Sequence, residues 1–477
     1  MKEVKHIIRF GTNADQTTLY QLNDTYDMII INANMLAHTT DAVSNFLLKN
    51  ICTHSNKGYF IDPLTYAFQD HLELLHSKPT KEETRIDPYI NLLDRPLKPP
   101  FVKLIEIYGD MTNSIHTNQP LSTEDFLDGE NTDSIHEFCK KVMDYQVYTV
   151  ENSLRNNDVG KYLEYCGEKL RSNLLPEFVI APYFYITKEE AHKWLKINTD
   201  LCDYCAEIAD YHLDVWAQVI IDKEILQDQY MLELIADRYT DARCKGVILW
   251  IDDFVETKAK QCEIDNYFFL LNKLRGKPVY QAYGGFFSIL MTNKSVGLLN
   301  GVSHGLEYGE DRRGYPVGGG LPSSKFYFLP LHRRLDYSLS YDLLESEGYI
   351  DINEKKWGLS DKYQNDVCKC KRCRSLMPEY MIGFKDYSSS KPYNVEFKTH
   401  TQRRLISTKE EKENCRFHYM YCKKMEFILS QRKSLKAVLK EIEDEIIKYK
   451  GAAGKRINLE NISQWVNAFK SYEGLND

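Results

Sequence analysis

Eight short apolar runs, separated by amphipathic stretches, constrain this fold more than any other feature of the chain. They lie at 27–32 (DMIIIN), 58–62 (GYFID), 177–183 (EFVIAPY), 214–222 (DVWAQVIID), 246–253 (GVILWIDD), 278–284 (PVYQAYG), 297–303 (GLLNGVS) and 325–332 (KFYFLPLH). Runs this short, rich in β-branched and aromatic residues and ending in polar or glycine-rich turns, read as strands buried on both faces of a parallel sheet. A ninth run, 6–10, is expected either to cap the barrel floor or to replace one member. Helical patterns occupy 41–50, 188–209, 230–239 and 266–274. Strand and helix alternating in this way predict an α/β fold, and a count near eight predicts a closed (β/α)8 TIM-like barrel over 1–348. An open doubly wound sheet is the alternative, disfavoured because no G-x-G-x-x-G follows the first strand. The long polar stretch at about 77–160 predicts a helical insertion.

The remaining residues, 349–477, have a different character. After a linker at 349–366, Cys368, Cys370 and Cys373 form a C-x-C-x-x-C cluster. One tight turn can aim three such thiolates at a single ion, and an imidazole completes a tetrahedral Zn²⁺ site. His418, at the start of a long helical pattern, is the preferred fourth ligand. His400 is the alternative, and Cys415 and Cys422 are more distant candidates. Three thiolates and an imidazole close the shell, so the zinc is expected to be structural.

Apolar residues recur every three or four positions over 413–450, predicting one terminal helix that stops at Gly451 or Gly454. From Cys368 to Arg456 there are 22 Lys/Arg against 11 Asp/Glu, although the whole chain carries a formal charge of −8. An acidic body with a basic helix beside a metal site suggests that the helix meets nucleic acid; a solvated lysine-rich face is the plain reading. No apolar run approaches the roughly 18 residues of a membrane span, and the first residues carry no signal-peptide core. The twelve cysteines are scattered through a large chain, which reads as reduced thiols in a cytoplasm. The pair Cys202 and Cys205 is read as ordinary thiols.

In a (β/α)8 barrel the working groups lie at the carboxyl ends of the strands. That rule nominates Asp62, Tyr183, Asp222, Asp252, Asp253, Gly284, Gly285, His304, His332 and Arg333. Any one aspartate there can simply cap the next helix. The connection at 301–320 is rich in glycine, as binding loops and lids are. In it His304, Glu307 and Glu310 are candidates for proton transfer, and Arg312 and Arg313 for holding a phosphate.

A barrel followed by C-x-C-x-x-C and a later histidine opening a long helix resembles the tRNA-guanine transglycosylase superfamily. Its members exchange a guanine in nucleic acid for a deazapurine base, some of them in DNA. The stretch 59–69 (YFIDPLTYAFQ) is similar to the family's strand ending in Asp-Ser-Gly-Gly-Phe-Gln. The match implies that Asp62 contacts the base or assists proton transfer, with Phe68 and Gln69 beside it. The stretch 318–321 (GGGL) is faintly similar to the Gly-Gly-Leu base-recognition loop, which implies a substrate role for Gly319 and Gly320. Two departures stand out. The Asp62 motif is two residues longer and lacks paired glycines, and the last strand (FYFLPLHR, 326–333) is aromatic where the family has its nucleophilic aspartate.

The resulting expectation is a zinc-containing, transglycosylase-like pentosyltransferase acting on a guanine-type base in tRNA or DNA. Asp62, Asp253, His304 and Glu307 are its candidate catalytic groups. Tyr183 and Tyr283 would stack on the base, and Arg312 and Arg333 would bind substrate. The alternatives are a non-catalytic nucleic-acid-binding or partner subunit, and a hydrolase of a small nucleotide or sugar. A homodimer or a protein partner is compatible with each. Two carboxylates flanking a slot wide enough for a purine would mark the enzyme, whereas a mouth filled by Tyr or Phe would mark the binding protein.

Overall fold

The computed structural model describes the chain apart from residues 1–2, 12–14, 54–56, 88, 166–173, 211, 307–309, 316–323, 352–355, 389–390, 397–400, 455 and 475–477. Its centre is a nearly closed barrel of parallel strands. In chain order these are β1 (Lys5–Phe10), β2 (Met28–Asn32), β3 (Gly58–Asp62), β4 (Val179–Ile180), β5 (Tyr185–Ile186), β6 (Val215–Ile221), β7 (Gly246–Ile251), β8 (Val279–Gln281) and β9 (Gly301–Gly305). The order around the barrel is β3-β2-β1-β9-β8-β7-β6-β4, with β5 also paired to β6. The strands β4 and β5 pair with successive parts of β6 and act as two pieces of one stave, which makes eight staves.

Seven of the expected runs supply staves. The eighth, 325–332, does not. Phe326–Phe328 (β10) pairs antiparallel with Arg333–Leu335 (β11) outside the barrel. The run 6–10 takes the vacant place as β1, between β2 and β9. A hairpin strand packed on both sides has the same apolar pattern as a barrel strand, so the two are indistinguishable by periodicity.

Side chains alternate along each strand, as a period of two requires. Ile8, Ile29, Ile31, Tyr59, Ile61, Val219, Val247 and Leu249 face the outer helices. Ile7, Ile30, Phe60, Ile180, Trp216, Ile248 and Trp250 fill the lumen. At one level of the interior, Phe178 stacks on Trp216 with centroids 4.4 Å apart and Trp216 meets Tyr280 at 4.6 Å. The lumen is a packed core and not a pore.

Closure between β3 and β4 depends on side chains. The Glu177 amide donates to the Tyr59 carbonyl at 2.8 Å. Beyond that bond, the backbone from Ile180 to Tyr185 pairs with amide and hydroxyl groups in place of a neighbouring strand. Gln146 accepts from Ile180 N at 2.8 Å and donates to Ile180 O at 2.7 Å. Thr65 exchanges bonds of 2.8 and 2.6 Å with Tyr183. Asn198 does the same with Phe184, both at 2.8 Å, and Gln69 with Tyr185 at 2.7 and 2.9 Å. A buried strand edge without these partners would leave its peptide groups unsatisfied at about 1–3 kcal/mol each.

Gln146 reaches the seam from a helix of 25 residues, Thr132–Asn156. That helix, with Lys81–Ile86, Pro99–Tyr108 and Asp158–Tyr165, lies in the connection between β3 and β4.

After the hairpin come the helices Tyr337–Ser346, Leu359–Asp366 and Lys371–Leu376 and an antiparallel pair, Lys391–Glu396 (β12) with Thr401–Ile406 (β13). The single terminal helix expected over 413–450 is two helices, Lys409–Arg432 and Leu435–Ala453. They part at Ser434, whose hydroxyl accepts from Ala437 N and caps the second one. Asn293 holds the break open by donating to the Ser430 and Lys433 carbonyls. Gly454, at φ +54°, ends the second helix, while Gly451 lies inside it. The first helix is no free basic rod: Glu411, Asn414, His418, Lys423 and Glu426 are all buried in it.

Candidate metal centre and barrel mouth

Cys368, Cys370, Cys373 and His418 converge in a buried cluster whose ligand atoms all lie within 4.8 Å of one another. His418 Nδ1 is 3.5, 3.6 and 3.4 Å from the three sulfurs in turn. Zn–S bonds of about 2.3 Å and a Zn–N bond of about 2.0 Å at tetrahedral angles put sulfur and nitrogen about 3.5 Å apart. The group therefore fits a tetrahedral ion of zinc's size. His400 lies outside the described residues. Cys422 is also close, with its sulfur 3.8 Å from His418 Nδ1, but it is not a member of the convergent four.

The surroundings suit a metal ligand set. His418 Nε2 lies 2.8 Å from the Tyr327 carbonyl, which fixes the tautomer that leaves Nδ1 free to ligate. Phe326 stacks on its ring at 4.3 Å. The hydroxyls of Tyr387 and Tyr363 lie 3.0 and 3.4 Å from the Cys373 sulfur, and the Cys373 amide donates to the Cys370 sulfur. The run first assigned to a barrel strand thus seats the histidine.

At the carboxyl end of the barrel, Asp62 closes β3 and is 3% exposed. Its Oδ1 accepts from the Tyr183 hydroxyl at 2.6 Å and the Leu64 amide at 3.0 Å, and Gln218 in turn donates to the Tyr183 oxygen at 2.8 Å. Burial pushes the Asp62 carboxyl above the usual carboxylate range, opposed by these hydrogen bonds. Around it stand Tyr66, Trp250 and Tyr283, with Tyr66 edge-on to Trp250 at 5.6 Å and Trp250 against Tyr283 at 4.8 Å.

The top of the lumen is filled. Backbone from the glycine-rich connection crosses it: the Trp250 indole donates to the Arg312 carbonyl at 3.0 Å, and the Tyr66 hydroxyl to the Gly314 carbonyl at 3.1 Å. The Gly314 amide donates to Asp252 Oδ1 at 2.8 Å, and Tyr185 donates to the other oxygen at 3.0 Å. Arg312 lies over Trp250 and Tyr283, with its guanidinium 2.9 Å from the Tyr283 hydroxyl. Arg313 forms a bidentate pair with Asp253 at the surface, at 3.0 and 3.1 Å.

The other predicted residues are dispersed. His304 is wholly buried, its Nε2 2.7 Å from His6 Nε2. Burial lowers His6 to about 3 and takes His304 well below its ordinary value, so the pair is neutral. Among the described residues no hydrogen bond joins Asp62, Asp253 and His304 to one another. Phe68 packs in the outer core against Phe101 and Tyr108, and Gln69 is committed to the Tyr185 backbone. Asp222 caps the turn after β6 by accepting from Glu224 N. Glu307, Gly319 and Gly320 lie outside the described residues.

Two polar clusters gather sequence candidates, Gly285 in one and Glu310 and His332 in the other, around buried charges that are not themselves candidates. Glu256 is buried and accepts from the amides of Gly285, Phe287 and Ser288, and burial raises it to about 7. Lys423 is fully buried between Glu310 and Glu426, with the Tyr327 hydroxyl at 2.9 Å, and His332 Nδ1 lies 2.7 Å from Glu426. Burial alone would raise the Glu426 carboxyl; Lys423 and His332 outweigh it and hold it below the usual range. For Lys423 and Glu426 the legible hint is their spacing on one helix face.

Comparison with known proteins adds nothing to this geometry: no family model and no curated protein matches the chain.

Proposed function

We propose that this protein is a metal-braced (β/α)8 barrel of the transglycosylase type, acting on a guanine-type base in nucleic acid by exchange or glycosidic cleavage. The observation that carries the reading is Asp62. It is a buried carboxylate at the carboxyl end of a barrel strand, bonded to Tyr183, whose ring opens a chain of aromatic contacts through Tyr66 and Trp250 to Tyr283. Aromatic faces can hold a flat base taken from its stack, and a carboxylate at the sugar can stabilise positive charge at the anomeric carbon or attack it. Zinc, bound by Cys368, Cys370, Cys373 and His418, would be structural. Those four residues fill its shell, and the chain's own task there is to tie the helix Lys409–Arg432 to the β10 hairpin.

A second reading, a binding or partner subunit without catalysis, is favoured by two observations. Backbone at Arg312 and Gly314 and the ring of Tyr66 fill the mouth. The Phe326–Phe328 strand carries no carboxylate and lies outside the barrel.

Labelled guanine supplied with tRNA or duplex DNA separates the two. Incorporation that Asp62→Asn abolishes and Tyr183→Phe lowers by about tenfold or more supports the enzyme. Binding of nucleic acid with no incorporation supports the subunit, and incorporation unchanged in Asp62→Asn rejects the assignment of that carboxylate.

A further inference from the structure

A cavity of about 620 Å³ lies beside the barrel mouth, between the loops after β7 and β9 and the C-terminal helices. Seven of its lining side chains are cationic, against two carboxylates, Glu310 and Asp311. Glu310 is already neutralised by Lys423. Arg334 lies flat on Tyr419, 3.8 Å from its ring centroid, and Arg416 and Lys412 enter from the helix Lys409–Arg432.

Arg333 is the informative member. It is 9% exposed and, among the described residues, makes one hydrogen bond, from Nη1 to the Asn458 carbonyl at 3.2 Å. Its Nε and Nη2 are buried, and among the described residues they have no hydrogen-bond partner and no carboxylate pairs with the group. Burial lowers its guanidinium to about 10. The one nearby acid that acts on it among the described residues, Glu310, is already paired with Lys423. A guanidinium withdrawn from water without a hydrogen-bonded counter-charge is costly, and folded proteins rarely retain one without an anion to meet it. Nearby cations add to the positive potential, offset in part by the pairs of Arg416 with Asp15, Arg456 with Asp342 and Lys325 with Asp336.

We propose that this cavity is a binding site for a phosphate ester, with Arg333 as the buried anchor and Lys412, Arg334 and Arg416 as its surround. A guanidinium fork matches phosphate oxygens in spacing and charge, and the volume suits a ligand of nucleotide size. The site does not rest on the base-exchange reading, since a phosphate can come from a free nucleotide or from a nucleic-acid backbone.

The test is calorimetric titration of the zinc-loaded full chain, at constant ionic strength, with pyrophosphate and with a short single-stranded DNA. Wild type should bind at least one of them. Arg333→Met and Lys412→Glu should each weaken that binding by about tenfold or more. Pyrophosphate should also raise the unfolding midpoint of wild type and leave that of Arg333→Met unmoved. Binding of both probes assigns the cavity to backbone phosphates, and binding of pyrophosphate alone assigns it to a small phosphorylated ligand. If Arg333→Met does not fold, Lys412→Glu, at the half-buried rim, decides. Absence of binding by both probes, or affinity unchanged by the variants, overturns the proposal.

Discussion

His418 Nε2 faces the main-chain carbonyl of Tyr327 at 2.8 Å, so the imidazole at the cysteine cluster is held by the hairpin that follows the barrel. The contact links a candidate metal site to the strand whose other residues, Phe326 and Phe328, pack among the C-terminal helices against Tyr387 and Tyr449. Loss of the ion would therefore loosen more than a local loop.

Metal analysis should find one zinc per chain. Cys370→Ser and His418→Ala should lose it, and Cys422→Ser should retain it. Removal of zinc by a chelator should lower the unfolding midpoint by about 3–5 °C, corresponding to ~3–5 kcal/mol for a chain of 477 residues. Retention of full metal content in Cys370→Ser would disprove the ligand assignment.

Gln146 seals the barrel seam at Ile180, and Gln146→Leu removes both bonds at similar volume. The variant should lose about 2–4 kcal/mol in urea unfolding. A loss below about 0.5 kcal/mol would mean that water replaces the amide and the seam is open.

Lys423→Met leaves Glu310 and Glu426 buried without their cation. The expected loss is about 3–5 kcal/mol, and adding Glu426→Leu should recover a part of it. Equal stability of the single variant and wild type would show that the charges are not paired in solution.

His6 and His304 share one short contact in the core and are neutral when folded. Unfolded histidine takes up a proton near pH 6.5, so below that value the unfolded chain binds more protons and stability falls with pH. Lys423 and Lys57 add to the penalty for charging His6. The slope should approach about 1.4 kcal/mol per pH unit for each histidine as pH drops from 6.5 toward the lowered value. Urea midpoints at pH 7.5, 6 and 5, with zinc content followed in parallel, should decline less steeply in His6→Leu/His304→Leu than in wild type. Identical slopes would refute the buried neutral pair.

The staves were legible wherever both faces are buried, because a run such as Ile29, Ile30 and Ile31 has no other favourable home. The run at 325–332 was misassigned for the same reason: Phe326, Tyr327 and Phe328 are buried too, but against the C-terminal helices. The cysteine spacing was legible because its chemistry is local. What escaped was polar and distant in sequence. Gln146 with Ile180, Asn198 with Phe184 and Lys423 with Glu310 are unremarkable residue types whose roles exist only once the barrel brings them together. Asp62 is nominated by its place at a strand end, and the structure adds the Tyr183 hydroxyl that donates to it, a bond that no sequence pattern marks.

The Arg312 carbonyl occupies the Trp250 indole N–H, and the Gly314 carbonyl occupies the Tyr66 hydroxyl. An incoming flat molecule must compete with the protein's own peptide groups for those donors before it can settle over the rings. Under the proposed function, admission to the lumen would be an exchange reaction and not simple docking, so a visitor offering a carbonyl of its own would have an advantage over a purely hydrocarbon one.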